Sequence, residues 1–498
     1  MFVFSSLLAV SLAAVGYATP LSTHPHDIPR ERSSLPYAPL VVNEHPHGTV
    51  NNSYIVMLKD GVAPELLQNH VNFVQNVHVE LPLMDDFESG LRHVYDGHVK
   101  GYAGKFSEGT VERIRQMPEV DYVELDQIVR TLEIDVEGEG TLGVQKNAPW
   151  GLARISHRPR LTFGTFRKYE YDVHGGEGVD VYVIDTGVNV KHNEFEGRAT
   201  WGKTVPQGDV DEDANGHGTH CAGTIASRKY GVAKAANVIA VKVLGSNGSG
   251  TMSDVVAGVV WAAQAAAKKA EAALKEFAET GKTKHKGSVA NMSLGGGKSQ
   301  ALDSTVNRAV DAGVHFAVAA GNDNKDACNN SPAAAEKAIT VGASTLGDER
   351  AYFSNYGPCV DVFAPGLNIL STYIGHEDAS ASLSGTSMAS PHTAGILAYL
   401  LSLYPSATFN PHVAPSFAPA PLQAQPLAQA YALAHSVLPS WVATFLPPPQ
   451  LVAPVPTPAP TLTPKQLKLA LLALATEGAL MTVPKDTPNL LIFNNATA

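Results

Sequence analysis

Five apolar runs separated by helical segments constrain this chain more than any other feature in it. Residues 179–184, 238–244, 289–294, 314–320 and 339–341 are nearly continuous in Val, Ile, Ala and Leu, as strands buried on both faces must be. The stretches 254–279 and 301–312 between them carry apolar residues at helical spacing, the second stopped by Gly313. Strands that alternate with helices need a crossover at each step. The arrangement that results is a doubly wound, mostly parallel α/β sheet, expected over 147–404.

The flanks read differently. Residues 53–132 form a small α+β unit, with strands expected at 54–58, 100–106 and 120–125 and helices at 65–76 and 108–117. Ahead of it, the apolar run 2–17 ends in Gly16, Tyr17 and Ala18, which reads as a secretory signal over 1–18 even though no Lys or Arg precedes it. The alternative is a short uncleaved anchor. Residues 19–52 are rich in Pro, His and Ser and read as a flexible leader; its two His-Pro-His stretches, at His24/His26 and His45/His47, carry no further signal. An acidic, Gly-rich linker at 133–146 separates the small unit from the large one and suits proteolytic cutting. Beyond 404, no Asp, Glu, Lys or Arg occurs between Ala379 and Pro464, and 15 of the 33 prolines fall in 405–464. Residues 405–460 therefore read as a Pro/Ala-rich insertion, after which a helix at 465–480 and a strand at 489–493 complete 461–498.

Composition removes some functions. A net charge of −11 argues against a nucleic-acid or anionic-membrane partner. Three cysteines allow one bridge at most and show no zinc-site spacing.

Four segments place a reactive side chain at the end of an apolar element. Val181-Tyr-Val-Ile-Asp185-Thr-Gly187 ends a strand with a carboxylate, rigid and partly desolvated, suited to orient an imidazole. Taken alone it is also an ordinary turn. Asn215-Gly-His217-Gly-Thr-His220-Cys221 opens a helix; His217 and His220 at i,i+3 allow a metal pair, but no H-E-x-x-H is present, so a general base is the better reading. Gly385-Thr-Ser387-Met-Ala-Ser-Pro391-His392 sets a hydroxyl at a helix N-terminus, where developing negative charge is favoured. Ser384 or Thr386 there could serve simply as a helix cap. The G-x-S-x-G elbow is absent, because Ala389 stands two residues after Ser387. Lastly, Ala319-Ala-Gly-Asn322 ends a strand with an amide able to donate to an oxyanion. The glycine-rich Gly245-Ser-Asn-Gly248-Ser-Gly250 matches neither phosphate-loop pattern and suits pairing with an extended peptide instead.

In the order Asp, His, Asn, Ser, these segments resemble the subtilisin-like serine proteases, in the proteinase K branch, nearest to the cerevisin-type vacuolar proteases of fungi. The stretch Ala148-Pro-Trp-Gly-Leu-Ala-Arg-Ile-Ser-His157 adds to the likeness. The resemblance implies an Asp185–His217–Ser387 triad, with Asn322 and the Ser387 N–H forming an oxyanion hole. It makes His220 and His392 structural neighbours. It implies substrate binding by Gly248, Ser249 and Gly250 on one side and Ser293, Leu294 and Gly295 on the other. A pocket near Ala319, Ala320 and Gly321 would then favour large apolar or aromatic side chains.

Further consequences of the likeness are an inhibitor-type propeptide at 53–132, protein and peptide substrates, a monomer, and no cofactor for the chemistry. A structural calcium would sit on Glu336, Ala338 and Asp361. Likeness to thiol-containing members sets Cys221 beneath the triad as a free thiol, with Cys328 and Cys359 as the one disulfide. The fungal likeness favours the vacuole lumen, with secretion outside the cell as the alternative. Sequons stand at Asn51, Asn247, Asn291, Asn329 and Asn495; Asn247 and Asn291 fall in the binding segments and are expected to be bare.

Overall fold

The computed structural model describes residues 37–42, 48–83, 89–131, 148–406, 409–411 and 461–496. All but Tyr37 belong to a unit spanning Ala38–Ala498. The expected signal at 1–18 and linker at 133–146, and nearly all of the insertion at 405–460, lie outside the described residues.

The small unit comprises β1 (Leu40–Val41), β2 (Thr49–Leu58), α1 (Pro64–Glu80), β3 (Gly90–Asp96), β4 (Lys100–Lys105), α2 (Glu108–Arg115) and β5 (Val120–Thr131). Its strands run β5-β2-β4-β3 antiparallel, with β1 parallel to β5. This corrects the reading of a flexible leader at 40–41 and 49–52; residues 19–36 and 43–47 of that leader lie outside the described residues. Leu40 and Val41 pair with Val123 and Glu124, and β2 already starts at Thr49. The first residues of β2 are polar and exposed, so apolar alternation did not reveal them. Along β2, Tyr54, Val56 and Leu58 face a core under α1 and α2, while Ile55 and Met57 face the large unit. The small sheet is thus buried on both faces.

The large unit runs α3 (Trp150–Ile155), β6 (Val179–Asp185), β7 (Ala199–Thr204), α4 (His217–Ala226), β8 (Asn237–Lys242), β9 (Ser249–Thr251), α5 (Met252–Thr280), β10 (Gly287–Met292), β11 (Leu294–Gly297), α6 (Gln300–Asp311) and β12 (His315–Ala319). It continues with β13 (Asn330–Ser331), β14 (Ile339–Ser344), β15 (Val362–Pro365), β16 (Ile369–Thr372), β17 (Ser380–Leu383), α7 (Thr386–Leu403), α8 (Pro464–Leu474), β18 (Thr476–Glu477) and β19 (Leu490–Leu491). Nine strands form one sheet, β18-β19-β15-β14-β12-β10-β6-β8-β7. Every neighbouring pair is parallel except β18–β19.

Successive residues of β6 point to opposite layers, as strand geometry requires. Val181 and Val183 join α4 and α7 on one face; Tyr182 and Ile184 join α5 and α6 on the other. Helix α7 is buried on all sides from Thr386 to Leu401, the signature of a core helix. The helix expected at 465–480 ends at Leu474, where the chain turns extended to pair β18 with β19. Among the described residues, no helix is long and apolar enough to cross a membrane.

The two units meet along β5. Its Asp126 accepts the Ser253 N–H at the start of α5 at 3.0 Å, and its Glu124 accepts the Ala301 N–H at the start of α6 at 2.9 Å. Helix N-termini carry unsatisfied donors and favour such carboxylates. Arg92 and His93 both pair with Asp254, at 3.0 and 2.8 Å. Burial nevertheless raises the Glu124 carboxyl from 4.5 to about 7. The docked form therefore keeps its proton to higher pH than the free one. From this group, docking weakens as pH rises between 4.5 and 7, by up to about tenfold per pH unit. His98, whose imidazole burial lowers, works the other way below 6.5. Glu124→Gln is expected to flatten the rise in the dissociation constant of the cut small unit between these pH values. Size-exclusion of the nicked complex across pH measures it; an unchanged slope would remove Glu124 from the account.

Candidate active site

The carboxyl ends of the parallel strands gather the candidate residues, where open α/β sheets bind their ligands. Asp185 ends β6. His217 opens α4, reached from the loop after β7. Asn322 lies three residues beyond β12, and Ser387 stands in the first turn of α7. Asp185, His217 and Ser387 are completely buried. His217 Nδ1 lies 2.7 Å from Asp185 Oδ1, which also accepts the Thr186 N–H at 2.8 Å.

Backbone constraints explain this approach. Gly216, at φ +99°, precedes His217, and a Cβ there would lie 2.6 Å from the Tyr373 ring. A Cβ on Gly218 would lie 2.1 Å from Gly187 O, so only glycine lets α4 begin against the end of β6. Asp213 secures the turn. Its carboxylate accepts the N–H groups of Asn215, Gly216 and Thr219 and the hydroxyls of Thr186 and Thr219. Nothing in the acidic run at 209–213 distinguishes Asp213 from Asp209 or Asp211, so sequence reasoning missed it.

Ser387 is tied reciprocally to Ser293, which links β10 to β11. Its Oγ donates to Ser293 O at 3.0 Å, and Ser293 Oγ donates to Ser387 O at 2.8 Å. Cys221, a turn after His217, reaches the same carbonyl at 3.4 Å, and its sulfur lies within 4.8 Å of ligand atoms of Asp185 and His217. It takes no part in the disulfide, which joins Cys328 and Cys359 with Cα atoms 5.3 Å apart.

Asn322 has a defined orientation. Its Oδ1 accepts the Thr386 N–H and hydroxyl, each at 2.9 Å. Because a backbone N–H can only donate, that atom must be the amide oxygen. The Nδ2 group is consequently the outward donor, buried and without a hydrogen-bond partner. Thr386, read from sequence as a possible helix cap, instead accepts the Gly321 N–H at 3.1 Å and so ties the end of β12 to the start of α7. Ala319, Ala320 and Gly321 are buried just before Asn322.

The metal-pair alternative for His217 and His220 loses its geometry. His217 is committed to Asp185. His220 Nε2 donates to the carbonyls of Ile369 and Ala381, at 2.9 and 3.2 Å, and burial lowers its imidazole to about 3. His392 is likewise buried, held by Met388 O at 2.8 Å and lowered to about 4. Both are neutral packing residues.

The expected binding segments flank an occupied slot. Strand β9 pairs antiparallel with one edge of β5, setting Thr251, Gly250 and Ser249 opposite Ile128, Val129 and Arg130. Strand β11 pairs with the other edge, setting Leu294 opposite Thr131 and Gly295 opposite Arg130. Gly248 makes the turn before β9 at φ +72°. Val129 is fully buried in the slot, 3.1 Å from where a Cβ on Gly296 would stand. The three residues expected to hold calcium meet a side chain that the sequence reading did not place there. Glu336 O, Ala338 O and Asp361 do converge, but on the ammonium of Lys468.

Comparison with known proteins agrees with this architecture. Residues 176–426 match the subtilase family and residues 53–132 match the peptidase inhibitor I9 family. The subtilisin-like serine protease Pen ch 18 of Penicillium rubens is 56% identical over 459 residues, covering 89% of this chain and 81% of that protein. Alkaline protease 2 of Aspergillus fumigatus is 53% identical with the same coverage of both chains. The crystal structure of a cold-adapted subtilisin-like serine proteinase superposes with a TM-score of 0.51 at 38% identity, covering 70% of this chain and 99% of that one. The chain therefore belongs to the subtilase family of serine proteases and carries an I9-type inhibitor unit ahead of its protease body.

Proposed function

We propose that the chain is a serine endopeptidase of the secretory pathway, made as a zymogen and cutting proteins with broad specificity. The observation that carries this is the Asn322 Nδ2 donor, buried, unpartnered and held beside the N-terminus that presents Ser387. Ser387 Oγ attacks the scissile carbonyl carbon while His217 takes its proton. The carbonyl oxygen becomes an anion, which Asn322 Nδ2 and the Ser387 N–H receive. Asp185 holds the imidazole tautomer and offsets the charge of the imidazolium. Collapse of this intermediate expels the amine, which leaves with the proton from His217 and an acyl group on Ser387. Water then repeats the sequence with His217 as base, and the acid product departs.

An extended peptide binds between β9 and β11 through its backbone, which discriminates little among side chains. The end of β5 supports this, since it pairs with both strands as a substrate would. The same register bears on maturation. Thr131 is the last described residue of β5 and stands opposite Leu294, and the neighbouring Ser293 O accepts Ser387 Oγ–H. We place the first cut after Leu132, at the edge of the 133–146 linker. The vacuole lumen is the favoured destination, with secretion outside the cell as the alternative. The molecule acts as a monomer.

Diisopropyl fluorophosphate tests the chemistry. One equivalent is expected to abolish peptide hydrolysis and to label Ser387 alone, with EDTA leaving the hydrolysis intact. Loss of activity to the chelator, with no label on Ser387, would overturn the reading.

A further inference from the structure

Lys468 stands on α8, 107 residues beyond Asp361 and after the Pro/Ala-rich insertion. Its Nζ donates to Glu336 O at 3.0 Å, Ala338 O at 2.6 Å and Asp361 Oδ2 at 2.9 Å, with Oδ1 of the same carboxylate also at 2.9 Å. An ammonium has three donors and no acceptor, and this one has three separate acceptors. Calcium needs six to eight oxygens at roughly 2.3–2.6 Å. With the ammonium seated among these three, a second cation would face it at contact distance. The donor set therefore fits a chain-borne cation and does not fit a metal ion.

We propose that Lys468 is the resident cation of this site, so that the position takes no calcium and the lysine performs the fastening an ion would. The oxygens it gathers lie at the starts of two adjacent strands. Ala338 immediately precedes β14 and Asp361 immediately precedes β15, and Asp361 Oδ2 also accepts the Thr340 N–H at 2.9 Å. Lys468 thus pins the last helix to the sheet edge. Burial raises the Asp361 carboxyl while Lys468 draws it back, so the anion depends on its partner. Lys337, next to Glu336 in the chain, is engaged with Asp311 at 2.6 Å instead. Unlike an ion, a tethered ammonium is neither diluted nor chelated.

Thermal unfolding of the full-length chain in a Ser387→Ala background, which prevents self-digestion, tests this. Without Lys468 substitution, the melting temperature is expected to be the same in EDTA and in millimolar calcium, to within about 1 °C. Lys468→Met should melt about 5 °C lower in EDTA, because it strands a carboxylate and two carbonyls. Calcium should restore part of that loss in Lys468→Met, and this restoration should vanish when Asp361→Asn is added. Should Lys468→Met fail to fold, Lys468→Arg and Asp361→Asn give the same comparison. The proposal is overturned if calcium stabilises the lysine-bearing chain through Asp361, or if losing Lys468 leaves the EDTA melting temperature unchanged.

Discussion

The full-length Ser387→Ala chain should remain intact under conditions in which the wild-type chain cuts itself, and should hydrolyse no peptide substrate measurably. Loss of the nucleophile costs about a million-fold in turnover, a size carried over from subtilisin, itself a member of this family. Intact masses decide the outcome. Wild type should release a fragment ending at Leu132, whatever trimming later shortens the new N-terminus. If wild type is cut first elsewhere and Ser387→Ala stays whole, the register argument fails but the serine mechanism stands. If both chains are cut alike, maturation belongs to another protease, and the activity of Ser387 must then be judged on peptides.

Replacing Asn322 should strike turnover and spare binding. Asn322→Ala should lower kcat by about 10²–10³-fold with KM nearly unchanged, the size measured for the oxyanion asparagine of subtilisin and again carried over from that relative. Alanine, however, also removes the acceptor for the Thr386 N–H and hydroxyl. Asn322→Asp separates the two effects, for it keeps an acceptor facing Thr386 but turns an anion toward the developing oxyanion. A catalytic donor therefore predicts a loss at least as large in Asn322→Asp. Near-normal kcat in that variant would reduce Asn322 to a brace for α7.

The sequence displayed its chemistry more fully than its architecture. Strands β6, β8, β10, β12 and β14 were legible because strands covered on both faces keep apolar residues at most positions. Strands β3 and β7 were not, since Arg92, His93 and Lys203 interrupt the apolar pattern at sheet edges. Among the candidate residues, Asp185, His217, Asn322 and Ser387 were visible because each ends an apolar element beside glycine. The orientation of the Asn322 amide was not, because it depends on Thr386, 64 residues away. The lysine among the three oxygens was hidden for the same reason. An Asp and two carbonyls imply a cation, but linear spacing cannot tell an ion in solution from an ammonium arriving from a distant helix.

Strand β5 belongs at once to the small sheet and to the slot between β9 and β11. Its Val123 is held in the core of the small unit, while Val129 lies in the slot a few residues on. Severing the chain after this strand frees an end without loosening the strand, because the sheet beneath still holds it. On the proposed reading, latency is expected to last as long as the small unit keeps its shape and to end when that unit unravels. The inhibitor is in this sense a timer. Its interval should follow the unfolding rate of about eighty residues, so a substitution in the small hydrophobic core, however far from Ser387, is expected to reset it.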